Sequence, residues 1–243
     1  MTHSIEIIAE DTLIIRSDYA NPERDTEFIF ALKVLLDTKF SQYIRDCVPA
    51  YTSIMIIVDM DKTLPQILAG EVQSTLAKYP LKFNVNTTNH TPNANQATAN
   101  IIEIPCYYGE DVAWDLSAIA QQCELMQDEV VRQHSNTLFR VYAIGFSPGF
   151  PYLGYLPTSL HLPRKSNPRP RIPAGSVAIA ENQSAVYPQA TPGGWHIIGR
   201  TPVKMFRPEL EDRNKCTLTT GDVVRFVAID KRTFVTMGGD LDA

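Results

Sequence analysis

Residues 4–17, Ser-Ile-Glu-Ile-Ile-Ala-Glu-Asp-Thr-Leu-Ile-Ile-Arg-Ser, set apolar runs on either side of a polar Ala9-Glu10-Asp11 turn and predict two short strands. Asn21-Pro22-Glu23 then supplies an N-cap, a proline at the first helical position and an acid in the first turn. Phe28, Leu32, Leu35 and Leu36 follow at helical spacing, so a helix is predicted that ends near Lys39. Residues 44–49 and 52–58 predict two more strands; the second, Thr-Ser-Ile-Met-Ile-Ile-Val, is rich in β-branched residues. A second helix is predicted from Leu64 to Lys78. This order predicts a small α+β domain over residues 1–83, with both helices on one face of an antiparallel sheet, of the ferredoxin-like type.

Residues 84–100 are polar, short of charge and rich in Asn and Thr, with no hydrophobic period, and read as a linker. His90 within it has no Cys, His or carboxylate at ligand spacing and is expected to face solvent. From Ile101 the pattern resumes: a strand to Cys106, then a helix pair, Trp114–Gln122 and Gln127–His134, broken near Leu125. After Leu138 the helical signals stop. Short strands are predicted at Phe139–Ile144, Ser176–Ala180, His196–Gly199, Val223–Ile229 and Arg232–Thr236, which with their Gly/Pro turns imply a closed or nearly closed β-barrel over residues 101–243.

Charge sharpens this picture. The net charge of −5 argues weakly against a nucleic-acid partner, yet residues 138–207 hold eight basic side chains against one acid, Glu181. The same segment carries 10 of the 17 prolines and 7 of the 12 glycines, which excludes long helices from it. A loop-rich cationic surface of this kind suits small anions such as carboxylates or phosphates, although a solvated basic face has the same composition. No apolar run approaches the roughly 20 residues a membrane span requires. Residues 1–13 lack a basic n-region and an apolar h-region, so no secretory signal is expected and a cytoplasmic location is. Cys47, Cys106, Cys123 and Cys216 form no Cys-x-x-Cys pair and are expected to be reduced thiols rather than a metal or disulfide framework.

Four ordered blocks in the basic segment are more specific than composition. They are Gly145-Phe146-Ser147-Pro148-Gly149-Phe150-Pro151-Tyr152-Leu153, Pro163-Arg164 with Pro168-Arg169-Pro170-Arg171-Ile172-Pro173-Ala174-Gly175-Ser176-Val177, Tyr187-Pro188, and Thr191-Pro192-Gly193-Gly194-Trp195-His196-Ile197-Ile198-Gly199-Arg200-Thr201-Pro202. Together they closely resemble the B subunits of prokaryotic ATP-dependent 5-oxoprolinases, a family that includes KipI-type kinase inhibitors and a carboxyltransferase part of urea amidolyase. The resemblance implies a cyclophilin-like barrel after the N-terminal domain. It further implies a heteromeric hydrolase, with subunits A and C as partners, that opens 5-oxoproline to glutamate with ATP cleavage. ATP would belong to the complex, and this chain alone would be inactive. The family leaves two other roles open: an inhibitor docking on a sensor histidine kinase, and a carboxyltransferase component of a biotin-dependent, urea carboxylase-type enzyme. The latter needs a biotin carrier on another protein.

Most candidate site residues lie in the same blocks, with Gln183 and His134 outside them. Arg169 and Arg171, two apart around a proline, share a face if the segment is extended and would clamp a carboxylate or phosphate; a solvated edge or a contact with an acidic partner is the other reading. Arg164 and Arg200 are of the same type. Gly193-Gly194 before Trp195 would admit close backbone approach and an amide nest for an anion, or form an ordinary tight turn. Ser176 reads as a hydrogen-bond donor, since no nucleophile elbow surrounds it. Gln183 and Tyr187 would orient a small polar ligand, while Phe146, Phe150, Tyr152 and Trp195 would wall a pocket or pack a core. His134 and His196 are acid or base candidates, each with a structural alternative. The P-loop pattern is missing, so any ATP site is of another kind or lies where two subunits meet. The catalytic acid or base stays unassigned and no metal is expected.

Overall fold

The computed structural model describes residues 2–81, 101–210 and 215–242, which fall in two compact units, residues 1–88 and 89–243. The linker expected at 84–100, with His90, lies outside the described residues.

In the first unit the order is β1 (His3–Ala9), β2 (Thr12–Ser17), α1 (Pro22–Lys39), β3 (Ile44–Ala50), β4 (Ser53–Val58) and α2 (Pro65–Lys78). The Asn21 side chain accepts from the Arg24 amide at 2.9 Å, so α1 starts where its cap pattern predicts. The sheet is antiparallel, in the order β1-β2-β4-β3. Leu13 and Ile15 of β2 and Ile54, Ile56 and Val58 of β4 alternate onto one face. There they form a single core with Phe28, Ile29, Leu32 and Leu36 of α1 and Leu68, Val72 and Leu76 of α2. Two helices on one face of a four-stranded sheet is what the pattern predicts. The ferredoxin-like order is not reproduced among the described residues, because in that motif the first strand leads into a helix whereas here β1 and β2 both precede α1. Here the edge beside β2 is taken by β1, which pairs with it through a tight hairpin at the start of the chain.

The second unit is built on a closed seven-stranded barrel. Its strands are β5 (Ile102–Tyr107), β6 (Leu138–Ile144), β7 (Pro151–Gly154), β9 (Ser176–Ala180), β10 (Gln183–Val186), β12 (His196–Arg200) and β13 (Val223–Ile229). They close in the order β10-β7-β6-β13-β5-β12-β9, and only β13–β5 is a parallel pair. Two short strands, β8 (Arg169–Ile172) and β11 (Thr191–Gly193), form a separate two-stranded sheet. Helices α3 (Leu116–Gln122) and α4 (Gln127–Asn136) follow β5, and α5 (Lys231–Thr236) follows β13. Strand β9 is buried at every position. Val177 and Ile179 join the main core, while Ala178 and Ala180 pack on the other side with Phe150, Ile172, Tyr187 and Trp195.

The strand predicted at Arg232–Thr236 is a helix instead. The Asp230 carboxylate accepts from the Thr233 amide at 2.7 Å, an N-cap that starts α5 despite the β-branched Thr233, Val235 and Thr236. All four cysteines are free thiols. Among the described residues no helix is long and apolar enough to cross a membrane.

Candidate functional site

The site is organised by a residue that the sequence pattern does not single out. Asp115 sits where an N-cap of α3 would, yet its side chain makes no capping bond. Its backbone amide donates to the Ile197 carbonyl at 2.9 Å, and its carboxylate accepts from the Ile197 amide at 2.7 Å. The chain before α3 is thereby clasped to β12. The same carboxylate accepts two bonds from the Arg169 guanidinium, at 2.7 and 2.8 Å, and one from Lys165 Nζ at 2.9 Å. Burial alone would push this carboxyl up, but Arg169, the Ile197 amide and Lys165 outweigh it and hold it at about 2. Arg169 is therefore bound to an internal acid, while Arg171 is exposed and has no ion-pair partner among the described residues. Only tertiary folding brings Asp115 to the basic loop, more than 45 residues away in sequence, so no local signal marks it.

The diglycine corner lies beside this ion pair. Gly193 stands opposite Arg169 in the β8–β11 ladder, and the Gly194 carbonyl accepts from the Lys165 amide at 2.8 Å. Neither glycine adopts a left-handed φ, so the alternating conformation of an anion nest is not formed here. Gly193 is required by packing: a Cβ there would lie 2.2 Å from the Tyr187 hydroxyl oxygen and 2.8 Å from Ile172 Cδ1. Tyr187 and Trp195 are both buried, and Phe150 meets them edge to face at 5.3 and 6.0 Å. Burial pushes the Tyr187 hydroxyl up to about 12. These aromatics form a core beneath the corner, whereas Phe146 is exposed.

A cleft of about 440 Å³ opens next to the corner, lined by Gln122, Pro163, Arg164, Lys165, Ser166, Asn167 and His196. The Arg164 guanidinium carbon lies 5.8 Å from the centre of the Trp195 ring. His196 Nε2 is 2.9 Å from the Pro163 carbonyl, which can only accept, so Nε2 carries a proton and donates to it. The cleft thus offers a guanidinium, an ammonium shared with Asp115, hydroxyl and amide groups and one imidazole. Such a donor set suits a small anion better than a large neutral ligand.

The remaining predicted residues separate into two other places. Gln183 is at the start of β10, opposite Ala180 and Gly154, at the far end of the β9–β10 hairpin from Tyr187. Ser176 and Arg200 are register partners in β9 and β12, and both are buried. Arg200 Nη1 donates to the Asp240 carbonyl at 2.7 Å, and burial pulls its pKa down from the ordinary value. The guanidinium carbons of Arg169 and Arg200 lie 5.4 and 6.0 Å from the centre of the Trp114 ring, so this indole links the two groups.

His134 belongs to the barrel core. Its Nδ1 is 2.9 Å from the Tyr108 hydroxyl and its Nε2 2.9 Å from Ser184 Oγ, with Phe226 and Phe139 rings at 4.6 and 5.1 Å. Burial lowers it to about 3. It is a satisfied neutral histidine rather than an acid or base of the site. Among the described residues no group of three or more His, Cys, Asp or Glu side chains is placed to hold a metal ion.

Comparison with known proteins agrees with this architecture. Residues 3–218 match the family model described as carboxyltransferase domain, subdomain C and D. The chain is 35% identical over 242 residues to the 5-oxoprolinase B subunit of Bacillus subtilis, covering 96% of this chain and 95% of that protein. It is 46% identical over 134 residues to the 5-oxoprolinase B subunit of Escherichia coli O157:H7, covering 55% of this chain and 61% of that one. The crystal structure of TTHA0988 superposes with a TM-score of 0.71 at 30% identity over 90% of this chain, which spans 40% of that longer one. The Kluyveromyces lactis urea carboxylase superposes at 0.68 with 14% identity, over 96% of this chain and 22% of that one, a likeness of fold. With the family model spanning most of the chain and a Bacillus subtilis relative 35% identical over 96% of it, the protein belongs to the carboxyltransferase subdomain C and D family, among its 5-oxoprolinase B subunits.

Proposed function

We propose that this protein is the B subunit of a cytoplasmic, ATP-dependent 5-oxoprolinase, acting with subunits A and C to hydrolyse 5-oxoproline to glutamate. The observation that carries the reading is the end-to-end similarity to the 5-oxoprolinase B subunit of Bacillus subtilis. The cationic cleft beside the Gly193-Gly194 corner is consistent with it, since 5-oxoproline is a small carboxylate. In this reading Arg164 and Lys165 attract and orient the acid. Asp115 acts as a positioning residue: it holds Arg169 and Lys165 and so fixes the loop that forms the cleft wall. Lactam hydrolysis is coupled to ATP cleavage in the complex, and ATP is a co-substrate. Arg164, Lys165, Ser166 and Asn167 would contribute donors to a phosphate only at its edge, with the partner subunits supplying the rest.

The test is glutamate release by co-purified subunits A, B and C given ATP and 5-oxoproline. Arg164→Ala is expected to raise KM for 5-oxoproline by about tenfold, the effect of one charged hydrogen bond. A well-folded complex that releases no glutamate overturns the reading, and an unchanged KM removes the cleft from it.

The family description favours one further reading, carboxyl transfer from a biotin carrier. Carboxylation of an acceptor by the complex with a carboxybiotin carrier, and no glutamate formed, would decide for it.

A further inference from the structure

We infer that the Nε–Nη2 edge of Arg200, together with the Ser176 hydroxyl, is a binding site for a small monocarboxylate, closed in this state by the C-terminal segment 240–242. Arg200 ends β12 and is only 2% exposed; Ser176 opens β9 and is fully buried. As register partners on neighbouring strands their side chains leave the same face of the wall. That face is the outer one, because Ala178 and Ala180, in step with Ser176, pack with Trp195 and Ile197 rather than in the main core.

Among the described residues only one of the guanidinium nitrogens has a partner: Nη1 donates to the Asp240 carbonyl, while Nε, Nη2 and Ser176 Oγ are shielded from solvent and make no hydrogen bond to any of them. Nε and Nη2 share one edge of the planar group and direct parallel N–H bonds outward, the fork that a carboxylate accepts with both oxygens. A buried charged donor left unmet is costly, so this arrangement favours an incoming anion. The surroundings select its charge. Among the described residues Asp240 and Asp111 are the carboxylates that act on Arg200, and Lys231 pairs with Asp111 at 2.6 Å. Two nearby acids oppose a phosphate dianion and tolerate a monoanion. The Trp114 ring, 41% exposed, provides an apolar wall for the body of the acid.

Phe234 is fully buried and anchors α5, and the Gly238 (φ +88°) and Gly239 amides end that helix on the Val235 and Phe234 carbonyls at 2.9 Å, with Gly239 packed on the Phe234 ring. Beyond Gly239 the exposed Asp240 reaches Arg200 through its carbonyl, and release of that bond withdraws residues 240–242 and opens the guanidinium to an incoming acid. The site is distinct from the Arg164 cleft and does not depend on the 5-oxoprolinase reading.

The test is the Arg200 Nε–H signal in 1H–15N spectra of the full chain, assigned by its loss in Arg200→Lys. Acetate, 5-oxoproline and the uncharged lactam 2-pyrrolidinone are titrated in turn. Acetate and 5-oxoproline are expected to move the signal downfield to saturation, and 2-pyrrolidinone to leave it in place. Read instead from the Trp114 indole N–H signal, whose ring lies 6.0 Å from the Arg200 guanidinium carbon, Arg200→Lys should weaken acetate binding by about tenfold to a hundredfold, the range for a lost charged hydrogen-bond pair. A chain ending at Gly239 should bind about threefold tighter or more, since the closed population no longer competes. A static Arg200 signal with both acids, in the intact and the shortened chain, overturns the inference; so does equal affinity in Arg200→Lys. Should that variant not fold, weaker binding by Ser176→Ala takes its place and undiminished binding refutes the site. A response to acetate without one to 5-oxoproline keeps the carboxylate site and counts against that ligand, while glutamate release judges the enzyme reading separately.

Discussion

Replacing Asp115 tests the organisation of the whole cationic region. Its side chain is 4% exposed and accepts four bonds, from Arg169 twice, Lys165 and the Ile197 amide. Asp115→Ala leaves a guanidinium, an ammonium and a buried amide without their acceptor. Breaking a buried ion pair by removing one partner costs about 3–5 kcal/mol. Arg169 and Lys165 side chains are about a quarter exposed and regain some water, so the lower end, about 3 kcal/mol, is expected here. Urea unfolding followed by tryptophan fluorescence reads the second unit alone, because both tryptophans, Trp114 and Trp195, lie in it. The double variant with Arg169→Met should lose less than the sum of the singles, by about 1 kcal/mol or more. The sign of the pH dependence is also determined. A carboxyl held at about 2 when folded stabilises the fold above its unfolded value of 3.8, and that contribution fades as pH falls through 3.8 toward about 2. Asp115→Asn should flatten this part of the acid-unfolding profile. A loss below about 1 kcal/mol, or strict additivity with Arg169→Met, would refute the idea that Asp115 holds the loop.

Three further outcomes are expected. His134, lowered to about 3 by burial, stays neutral in the fold while its unfolded counterpart protonates near 6.5, so it destabilises progressively as pH falls from 6.5 toward 3; its imidazole C–H signal should not titrate between pH 8 and 5, and a midpoint near 6.5 would show that the ring is not enclosed. Gly193→Ala drives a Cβ into Tyr187 and should cost about 1–3 kcal/mol or more in urea unfolding, whereas the nearest atom to a Cβ at Gly194, the Lys165 carbonyl, is 3.5 Å away and Gly194→Ala should be near neutral. Asp230→Ala removes the cap of α5 and should lower stability by about 1 kcal/mol, with Asp230→Asn close to wild type by the same measurement.

Local chemistry made much of the architecture legible. Asn21, Pro22 and Glu23 announce α1 because capping and proline geometry are properties of adjacent residues, and β4 declares itself through alternate burial of Ile54, Ile56 and Val58. Strands β9 and β13 fall where β-branched runs predict them. The short strands β7, β8, β10 and β11 carry no such signal, since three or four residues are too few to show a period. In α5 the local β propensity of Thr233, Val235 and Thr236 is overridden by the Asp230 cap and the burial of Phe234.

The amino-acid sequence by itself determined the two-part organisation, the barrel class and the gathering of basic residues into one segment, because each is a matter of composition and short-range pattern. Which of those cations are free was decided only in three dimensions. Asp115 neutralises Arg169 and shares Lys165, the C-terminal segment caps Arg200 on one side only, and Gly193 serves packing against Tyr187. Charge in a sequence counts groups, whereas function depends on which of them remain unpaired, and pairing across 40–55 residues is set by strand register and barrel closure.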